Sequence, residues 1–95
     1  MSNTDFLVHA TSDSVGVVVV EDAVSGRDLT GWIMETDETI TVRAARDIPL
    51  GHKVALRDIE SGDAVIKYGH DIGKAIAKIS KGDHAHVHNV KTKRW

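Results

Sequence analysis

The feature that most constrains the fold is a run of β-branched residues at positions 15–20, Val-Gly-Val-Val-Val-Val, which Glu21 and Asp22 end. Branching at Cβ favours extended backbone. A strand that is apolar at successive positions is typically buried on both of its faces. The run therefore predicts a strand inside a core, in a fold built mainly from β-structure.

Further strand patterns flank this run. Residues 6–8 are apolar, and residues 29–34 form a second mostly apolar stretch. Residues 39–43 alternate polar and apolar side chains, as a half-buried strand does. The stretch between the last two, residues 35–38, is short and polar, so we expect a β-hairpin there.

A repeated pattern, Ile-x-x-Gly-x-x-Val/Ala, begins at Ile48, Ile59 and Ile79. We expect each Ile to be a core anchor, each Gly to take a positive φ in a turn, and a strand to begin just after it. The unequal spacing of the three copies argues against a solenoid. Short strands joined by similar tight turns predict a small, mainly β, barrel-like or coiled-sheet domain.

One segment has two interpretations. In residues 71–79 the apolar positions also follow helical spacing: Ile72, Ala75, Ile76 and Ile79. Gly73 lies inside the segment and weakens a helix by about 1 kcal/mol relative to Ala. We predict a strand followed by a helical turn.

Size and composition exclude several classes of protein. The chain has 95 residues, which predicts one domain over residues 1–95. A net charge of −2 argues against general nucleic-acid binding, which needs a basic face. The sequence has no cysteine, so neither disulfides nor a cysteine–zinc cluster can stabilise it. It contains no apolar stretch of membrane-spanning length and begins without a basic signal-peptide region, so we expect a cytoplasmic protein.

The segment most suggestive of chemistry is residues 82–89, in which His84, His86 and His88 alternate with other residues. On a strand, all three would project from one side, with neighbouring same-face residues roughly 6.5–7 Å apart. Neutral imidazoles suit a first-row divalent metal such as Fe(II), Mn(II) or Zn(II). Asn89 would hydrogen-bond either a substrate oxygen or a turn. The alternative is an exposed strand that carries surface histidines.

A second candidate segment is residues 67–73, in which Gly69 and Gly73 flank a polar centre. The glycines indicate either a close approach of the backbone to another chain or a ligand, or simple turns within a core. Lys67 and His70 are candidates to bind a carboxylate or sulfonate. Two further histidines are interpreted as structural or exposed rather than as ligands: His9 and His52.

Residues 66–73 and 86–92 together resemble the N-terminal domain of the altronate and galactarate dehydratases. The resemblance extends upstream through residues 47–56 and covers the chain from Phe6 onward, although Ala85 stands where Val is more usual. In that family the domain has the β-clip fold, a SAF-like fold also seen in type III antifreeze proteins. The resemblance therefore implies short strands with one or two helical turns. A free-standing chain of this length most resembles the small subunits of sulfolactate sulfo-lyases, and small free-standing relatives of the sugar-acid enzymes also exist.

The resemblance implies a function as part of a larger enzyme. The expected activity is that of the small subunit of a two-subunit, metal-dependent lyase that eliminates sulfite from (2R)-3-sulfolactate and gives pyruvate. One alternative is the small subunit of an altronate/galactarate-type hydro-lyase. Others are a non-catalytic module that binds a sugar acid or a partner protein, and a metal-binding accessory protein.

Particular residues and partners follow from that expectation. His86 and His88 are the expected catalytic and metal-binding residues, and Lys67, His70 and Asn89 are the expected substrate-binding residues. The expected cofactor is a divalent metal, Fe(II) first, with Mn(II) or Mg(II) as alternatives. The expected partners are a larger catalytic subunit and a small anionic 2-hydroxy acid, with no nucleic acid and no membrane. A homo-oligomer is one state open to the isolated chain.

Overall fold

The computed structural model describes residues 4–86 and 88–92. Nine strands lie in this part of the chain: β1 (Phe6–Val8), β2 (Val15–Val18), β3 (Asp28–Ile33), β4 (Glu38–Arg43), β5 (Lys53–Ala55), β6 (Ala64–Lys67), β7 (His70–Ala75), β8 (His84–Ala85) and β9 (Val90–Thr92). They form a six-stranded sheet in the order β4-β3-β1-β2-β5-β8 and a three-stranded sheet in the order β6-β7-β9. Strands β1 and β3 are parallel, and the other pairs are antiparallel. The prediction of a mainly β fold with short strands is confirmed.

Strand β2 lies inside the larger sheet, between β1 and β5. Its two ends contribute to different apolar clusters. Val18 packs with Phe6, Leu29 and their neighbours in a first cluster. Val15 packs in a second cluster with residues of the smaller sheet, including Val65. The predicted strand with two buried faces is therefore confirmed, although it ends at Val18 rather than at residue 20.

Phe6 is the largest side chain in the first cluster and is completely buried. Two glycines on the strands beside it leave the space that its ring occupies. A Cβ atom at Gly16 would lie 2.7 Å from the ring, and one at Gly31 would lie 2.0 Å from it. Any larger residue at either position would displace Phe6 and disturb the pairing of β1 with β2 and β3.

The predicted hairpin is present. Strands β3 and β4 pair in register from Asp28 opposite Arg43 to Ile33 opposite Glu38. The inward-facing Leu29 and Val42 are buried, and the alternate positions of β4 are exposed. The alternation seen in the sequence therefore reflects a hairpin with one face on the core.

The three Ile-x-x-Gly patterns form the predicted turns. The anchoring residues are buried, with exposures of 2%, 3% and 0%: Ile48, Ile59 and Ile79. The glycines take φ values of +85°, +92° and +87°: Gly51, Gly62 and Gly82. Strands β5, β6 and β8 begin two residues after these glycines. The second and third copies also pair with each other through a bridge between Ile59 and Ile79.

The third turn is in close contact with the end of the β3–β4 hairpin. A Cβ atom at Gly82 would lie 2.1 Å from the carbonyl oxygen of Arg43. The amide N–H of Ala45 donates to the carbonyl oxygen of Gly82 at 2.9 Å. Arg46 adds an ion pair to Asp83 at 2.7 Å. These contacts fix the position at which β8 begins.

The predicted helical turn in residues 71–79 is wrong. Strand β7 runs from His70 to Ala75, the chain then bends, and Ile79 joins the isolated bridge to Ile59. Pairing with strands on both sides decides the outcome, because β7 is the central strand of the smaller sheet. Residues 4–86 and 88–92 contain no helix of any kind, and therefore none that is long and apolar enough to cross a membrane.

Candidate functional site

Two histidines from distant parts of the chain stack on each other because β5 and β8 are antiparallel neighbours. The register of this pair places Lys53 opposite Ala85. Continuing the register by one residue brings His52 opposite His86. Their rings stack with centroids 3.9 Å apart and planes 20° apart.

His84 completes what we call the imidazole cluster, formed by His52, His84 and His86. Nδ1 of His52 lies 2.8 Å from Nε2 of His84, so an N–H of one ring donates a hydrogen bond to the other ring. The ring centroids of His84 and His86 are 5.5 Å apart. His88 lies at the border of the cluster, with its ring 5.1 Å from that of His84 and its side chain exposed.

The rings converge in a way that differs from the prediction. An extended strand through residues 84–88 was expected, but β8 ends before His86 and the chain then turns. The amide N–H groups of Asn89 and Val90 both donate to the carbonyl oxygen of His86, at 3.0 and 2.9 Å. Val87 lies outside the described residues. The turn, together with the pairing of β5 and β8, brings the imidazoles together.

Asn89 holds this turn through its side chain. Its Oδ1 accepts the amide N–H of His86 at 2.9 Å, and its Nδ2 donates to the carbonyl oxygen of His84 at 2.8 Å. Of the two roles expected for Asn89, the structure shows the one in the turn. A contact of Asn89 with substrate stays a prediction.

The surroundings of His84 and His86 favour neutral imidazoles. Burial lowers the pKa of His84 below its ordinary value, and the nearby rings of His52, His88 and His86 lower it further against an opposing effect of Asp83. Burial also lowers the pKa of His86, with added repulsion from His52, Lys53 and His88. Neutral imidazole is the form that binds metals and accepts protons.

One nitrogen in the cluster makes no hydrogen bond within the part of the chain that the structure describes. Nδ1 of His86 is buried and has no hydrogen-bond partner among the described residues. An unpaired buried polar atom is unfavourable and often marks a site completed by an ion, a water or a ligand. The atom therefore points to a binding role for His86.

The three imidazoles can share one metal ion. One nitrogen from each of His52, His84 and His86 lies within 4.8 Å of the other two. Two nitrogens bound about 2.1 Å from one first-row metal, at roughly right or tetrahedral angles, are about 3.0–3.4 Å apart. A bound ion would therefore require the rings to rotate from their present stacked positions. The metal pair expected from the sequence was His86 and His88, and the geometry instead groups His86 with His52 and His84.

A groove beside His86 contains two lysines. It has a volume of about 280 Å³ and is lined by Lys53, Lys67 and His86, among other residues. Burial and the neighbouring charge of Lys67 lower the pKa of Lys53 from its ordinary value. Lys67, predicted to bind an anion, thus lies next to the imidazole cluster. His70 is exposed at the start of β7 and does not line this groove.

The turn between β6 and β7 is explained by contacts within the fold. Tyr68 and Gly69 have φ values of +53° and +73°, as in the two-residue turns that join hairpins. Asp13, which is 1% exposed, accepts their amide N–H groups at 3.0 and 2.9 Å. The same carboxylate accepts the amides of His9 and Ala10 at 3.1 and 3.3 Å.

The second glycine of this segment allows close approach of the backbone to another strand of the same chain. A Cβ atom at Gly73 would lie 2.2 Å from the carbonyl oxygen of Lys91 on β9. Gly69 therefore forms a turn, one of the alternatives that the sequence left open, whereas the close approach at Gly73 is to a strand of the same chain and not to another chain or a ligand.

Sequence reasoning missed two members of the site. His52 was interpreted as structural or exposed, and Lys53 was not singled out. A signal was present, because His52 and His84 both follow the glycine of an Ile-x-x-Gly copy by one or two residues. Pairing the strands that follow those two copies would have placed the histidines together.

Comparison with known proteins agrees with this architecture. Residues 4–93 match the family described as the altronate/galactarate dehydratase SAF domain. The (2R)-sulfolactate sulfo-lyase subunit alpha of Chromohalobacter salexigens is 53% identical over 91 residues, which are 96% of this chain and 97% of that protein. The protein of the same name from Paracoccus pantotrophus is 53% identical over 60 residues, which are 63% of this chain and 87% of that protein.

Altronate dehydratases are also similar but much longer. The altronate dehydratase of Escherichia coli is 41% identical over 85 residues, which are 90% of this chain but only 16% of that protein. A match over nearly the whole chain, together with the mainly β structure, establishes the relationship. The chain belongs to the altronate/galactarate dehydratase SAF-domain family.

Proposed function

We propose that this chain is the small subunit of a two-subunit lyase that eliminates sulfite from (2R)-3-sulfolactate and forms pyruvate. The observation that carries the proposal is the 53% identity to a sulfo-lyase subunit alpha over nearly the full length of both chains. That relative is named a subunit alpha, which supports a partner subunit for this chain as well. The imidazole cluster supplies a chemical reason for a catalytic contribution from the small chain.

The reaction sets the requirements for the site. A base removes the C2 proton, the C3–S bond breaks, and sulfite leaves with the bonding electron pair. The enol that remains takes up a proton at C3 and becomes pyruvate. The C2 proton is weakly acidic, so negative charge that develops on the carboxylate must be stabilised.

The imidazole cluster fits a divalent metal, with Fe(II) better suited to imidazole ligands than Mn(II) or Mg(II), which prefer oxygen ligands. Such a metal, when bound, would act as a Lewis acid toward the carboxylate and 2-hydroxyl of the substrate. His52, His84 and His86 would hold it, and the unpaired buried nitrogen of His86 supports this assignment. The neighbouring His88 is then available as a general acid or base.

The principal alternative is a hydro-lyase subunit acting on a sugar acid. The similarity to altronate dehydratases favours it, because those proteins carry a related segment within a longer chain. Loss of water rather than sulfite from C3 would follow the same steps. A non-catalytic role, as a module that binds a sugar acid or a partner, predicts no change in turnover when the cluster is altered.

The test is reconstitution with a candidate large subunit. The two chains are co-expressed and supplied with Fe(II). Sulfite and pyruvate release from (2R)-3-sulfolactate is then measured beside dehydration of altronate and galactarate. We expect sulfite release. We also expect His52→Ala and His86→Ala each to lower turnover by about a hundredfold or more.

His9→Ala is the matched control, because His9 is exposed and contacts Tyr68 rather than the cluster. It should leave turnover unchanged. Turnover only with altronate or galactarate would replace the proposal by its alternative. Normal sulfite release by both cluster variants would remove the imidazoles from the mechanism.

A further inference from the structure

The groove beside the imidazole cluster has the composition of an anion site. Its charged residues are Lys53 and Lys67, and its apolar wall includes Ile72 and Val90. Thr92 adds a hydroxyl at the rim. None of the described residues that line it is acidic. We call this feature the lysine groove.

Within the described part of the chain, no carboxylate pairs with either ammonium group. No ion pair between described residues involves Lys53 or Lys67. Nζ of Lys67 lies 5.1 Å from the centre of the Tyr68 ring, a contact that leaves its charge in place. Two partly buried cations that face one groove without a counter-charge are unfavourable unless an anion binds between them.

The lysine groove and the imidazole cluster share His86, which lines the groove and stacks on His52. His52, the residue just before β5, and Lys53, the first residue of β5, project to opposite sides because side chains alternate faces along extended backbone. His52 therefore lies on the cluster side and Lys53 on the groove side. A ligand bound against His86 would therefore lie at the border of the groove and the cluster.

We propose that the lysine groove binds the sulfonate of the substrate while its carboxylate and 2-hydroxyl lie at the imidazole cluster. This inference rests on the proposed function, which supplies a substrate with two oxyanion ends. Sulfite departs from the sulfonate end, so Lys53 and Lys67 would also stabilise the negative charge of the leaving group. The site thereby selects for a three-carbon acid whose second end is anionic.

Binding of a simple sulfonate to the full chain tests the groove separately from catalysis. The ¹⁵N-labelled protein is titrated with propane-1-sulfonate at constant ionic strength, with propionate in a parallel series. Amide shifts should be concentrated at Lys53, Lys67, Ala85 and Thr92. Lys53→Met and Lys67→Met should each weaken sulfonate binding by about tenfold or more, because charge-assisted hydrogen bonds are lost.

Lys81→Met is the matched control, because Lys81 is exposed and does not line the groove. It should change sulfonate binding by less than about twofold. Lys67→Arg keeps the charge and should restore most of the binding. Equal effects of Lys81→Met and Lys67→Met would show only general attraction to a cation and would overturn the proposal.

Further readouts separate this inference from the proposed function. Lys67→Met should leave metal binding by the free chain unchanged and should lower kcat/KM for sulfolactate in the two-subunit enzyme. Sulfonate binding in the groove with no sulfite release would contradict the proposed function and leave the groove assignment standing.

Tighter binding of propionate than of the sulfonate would assign the groove to a carboxylate and overturn the sulfonate assignment. Loss of subunit association in both lysine variants, with no sulfonate binding by the free chain, would assign the groove to an acidic residue of the partner and overturn the proposal.

Discussion

The turn between β6 and β7 and the turn after β8 are both rich in polar residues, yet their polar groups have different partners. In the first, the buried Asp13 carboxylate accepts four amide N–H groups, including those of Tyr68 and Gly69. In the second, the side chain of Asn89 hydrogen-bonds the backbone of His84 and His86, whereas the imidazoles contact one another. Nδ1 of His86 has no hydrogen-bond partner among the described residues. Polar groups whose hydrogen bonds are all made within the protein indicate a structural turn, whereas buried polar groups without a partner indicate a binding site.

The strongest test of the first region is Asp13→Ala. The change leaves four amide N–H groups without their acceptor, so we expect unfolding free energy to fall by about 3 kcal/mol or more in urea denaturation. Asp58→Ala is the control, because the exposed Asp58 accepts one amide, that of Lys81, at 2.8 Å. It should lower the unfolding free energy by less than about 1 kcal/mol. An Asp13→Ala protein as stable as the control would show that the turn does not depend on this carboxylate.

The second region is tested by metal affinity. His84→Ala removes one of the three grouped nitrogens, so Fe(II) or Co(II) binding measured by anaerobic titration should weaken by about a hundredfold. His88→Ala removes a ring outside that group and should weaken binding by less than about threefold. A larger loss of metal affinity in His88→Ala than in His84→Ala would instead favour His86 and His88, the metal pair expected from the sequence.

A third prediction examines how far the two regions depend on each other. Gly73→Ala places a methyl group against the carbonyl oxygen of Lys91, so β7 and β9 should separate and stability should fall by about 2 kcal/mol. Gly62→Ala, with φ +92° and open space around its Cβ position, should lose only about 1 kcal/mol. Because β9 supplies Thr92 to the lysine groove, sulfonate binding should weaken in the first variant only. Unchanged β9 amide exchange in Gly73→Ala would contradict this account.

The smallest expected effect is a pH dependence of stability. The folded-state pKa values of His84 and His86 lie below the ordinary value of 6.5. Between the lowered folded-state pKa and the unfolded-state value of about 6.5, the unfolded chain binds more protons than the folded chain. This contribution to stability is therefore fully present above about pH 6.5 and falls as the pH is lowered. Urea midpoints at about pH 8 and about pH 5.5 measure the effect. The double variant His84→Ala/His86→Ala should show a smaller difference, and an undiminished one would assign the effect to other groups.

Local features of the fold were predictable from the sequence. The β3–β4 hairpin and the Ile-x-x-Gly turns were correct because their signals, alternation and a glycine at positive φ, act within a few residues. The helical turn in residues 71–79 was wrong because Ile72 and Ala75 are placed by pairing of β7 with two other strands. Tertiary pairing overrode a coincidental helical spacing there.

The candidate site was predicted only in part for the same reason. His84, His86 and His88 stood out because they are close in sequence. His52 and Lys53 did not, because their place beside His86 depends on the register of β5 with β8, which a single sequence does not reveal. Lys67 was identified from its charge, although its partner Lys53 came to light only in the structure.

The contact between Gly82 and the carbonyl oxygen of Arg43 has a consequence for how the site responds to distant changes. Together with the Arg46–Asp83 ion pair, it joins the end of the β3–β4 hairpin to the residue just before His84. A protein that binds or bends the β3–β4 hairpin would thus move His84 without touching it. A change in the β3–β4 hairpin would thus alter the position of an imidazole that the hairpin does not contact.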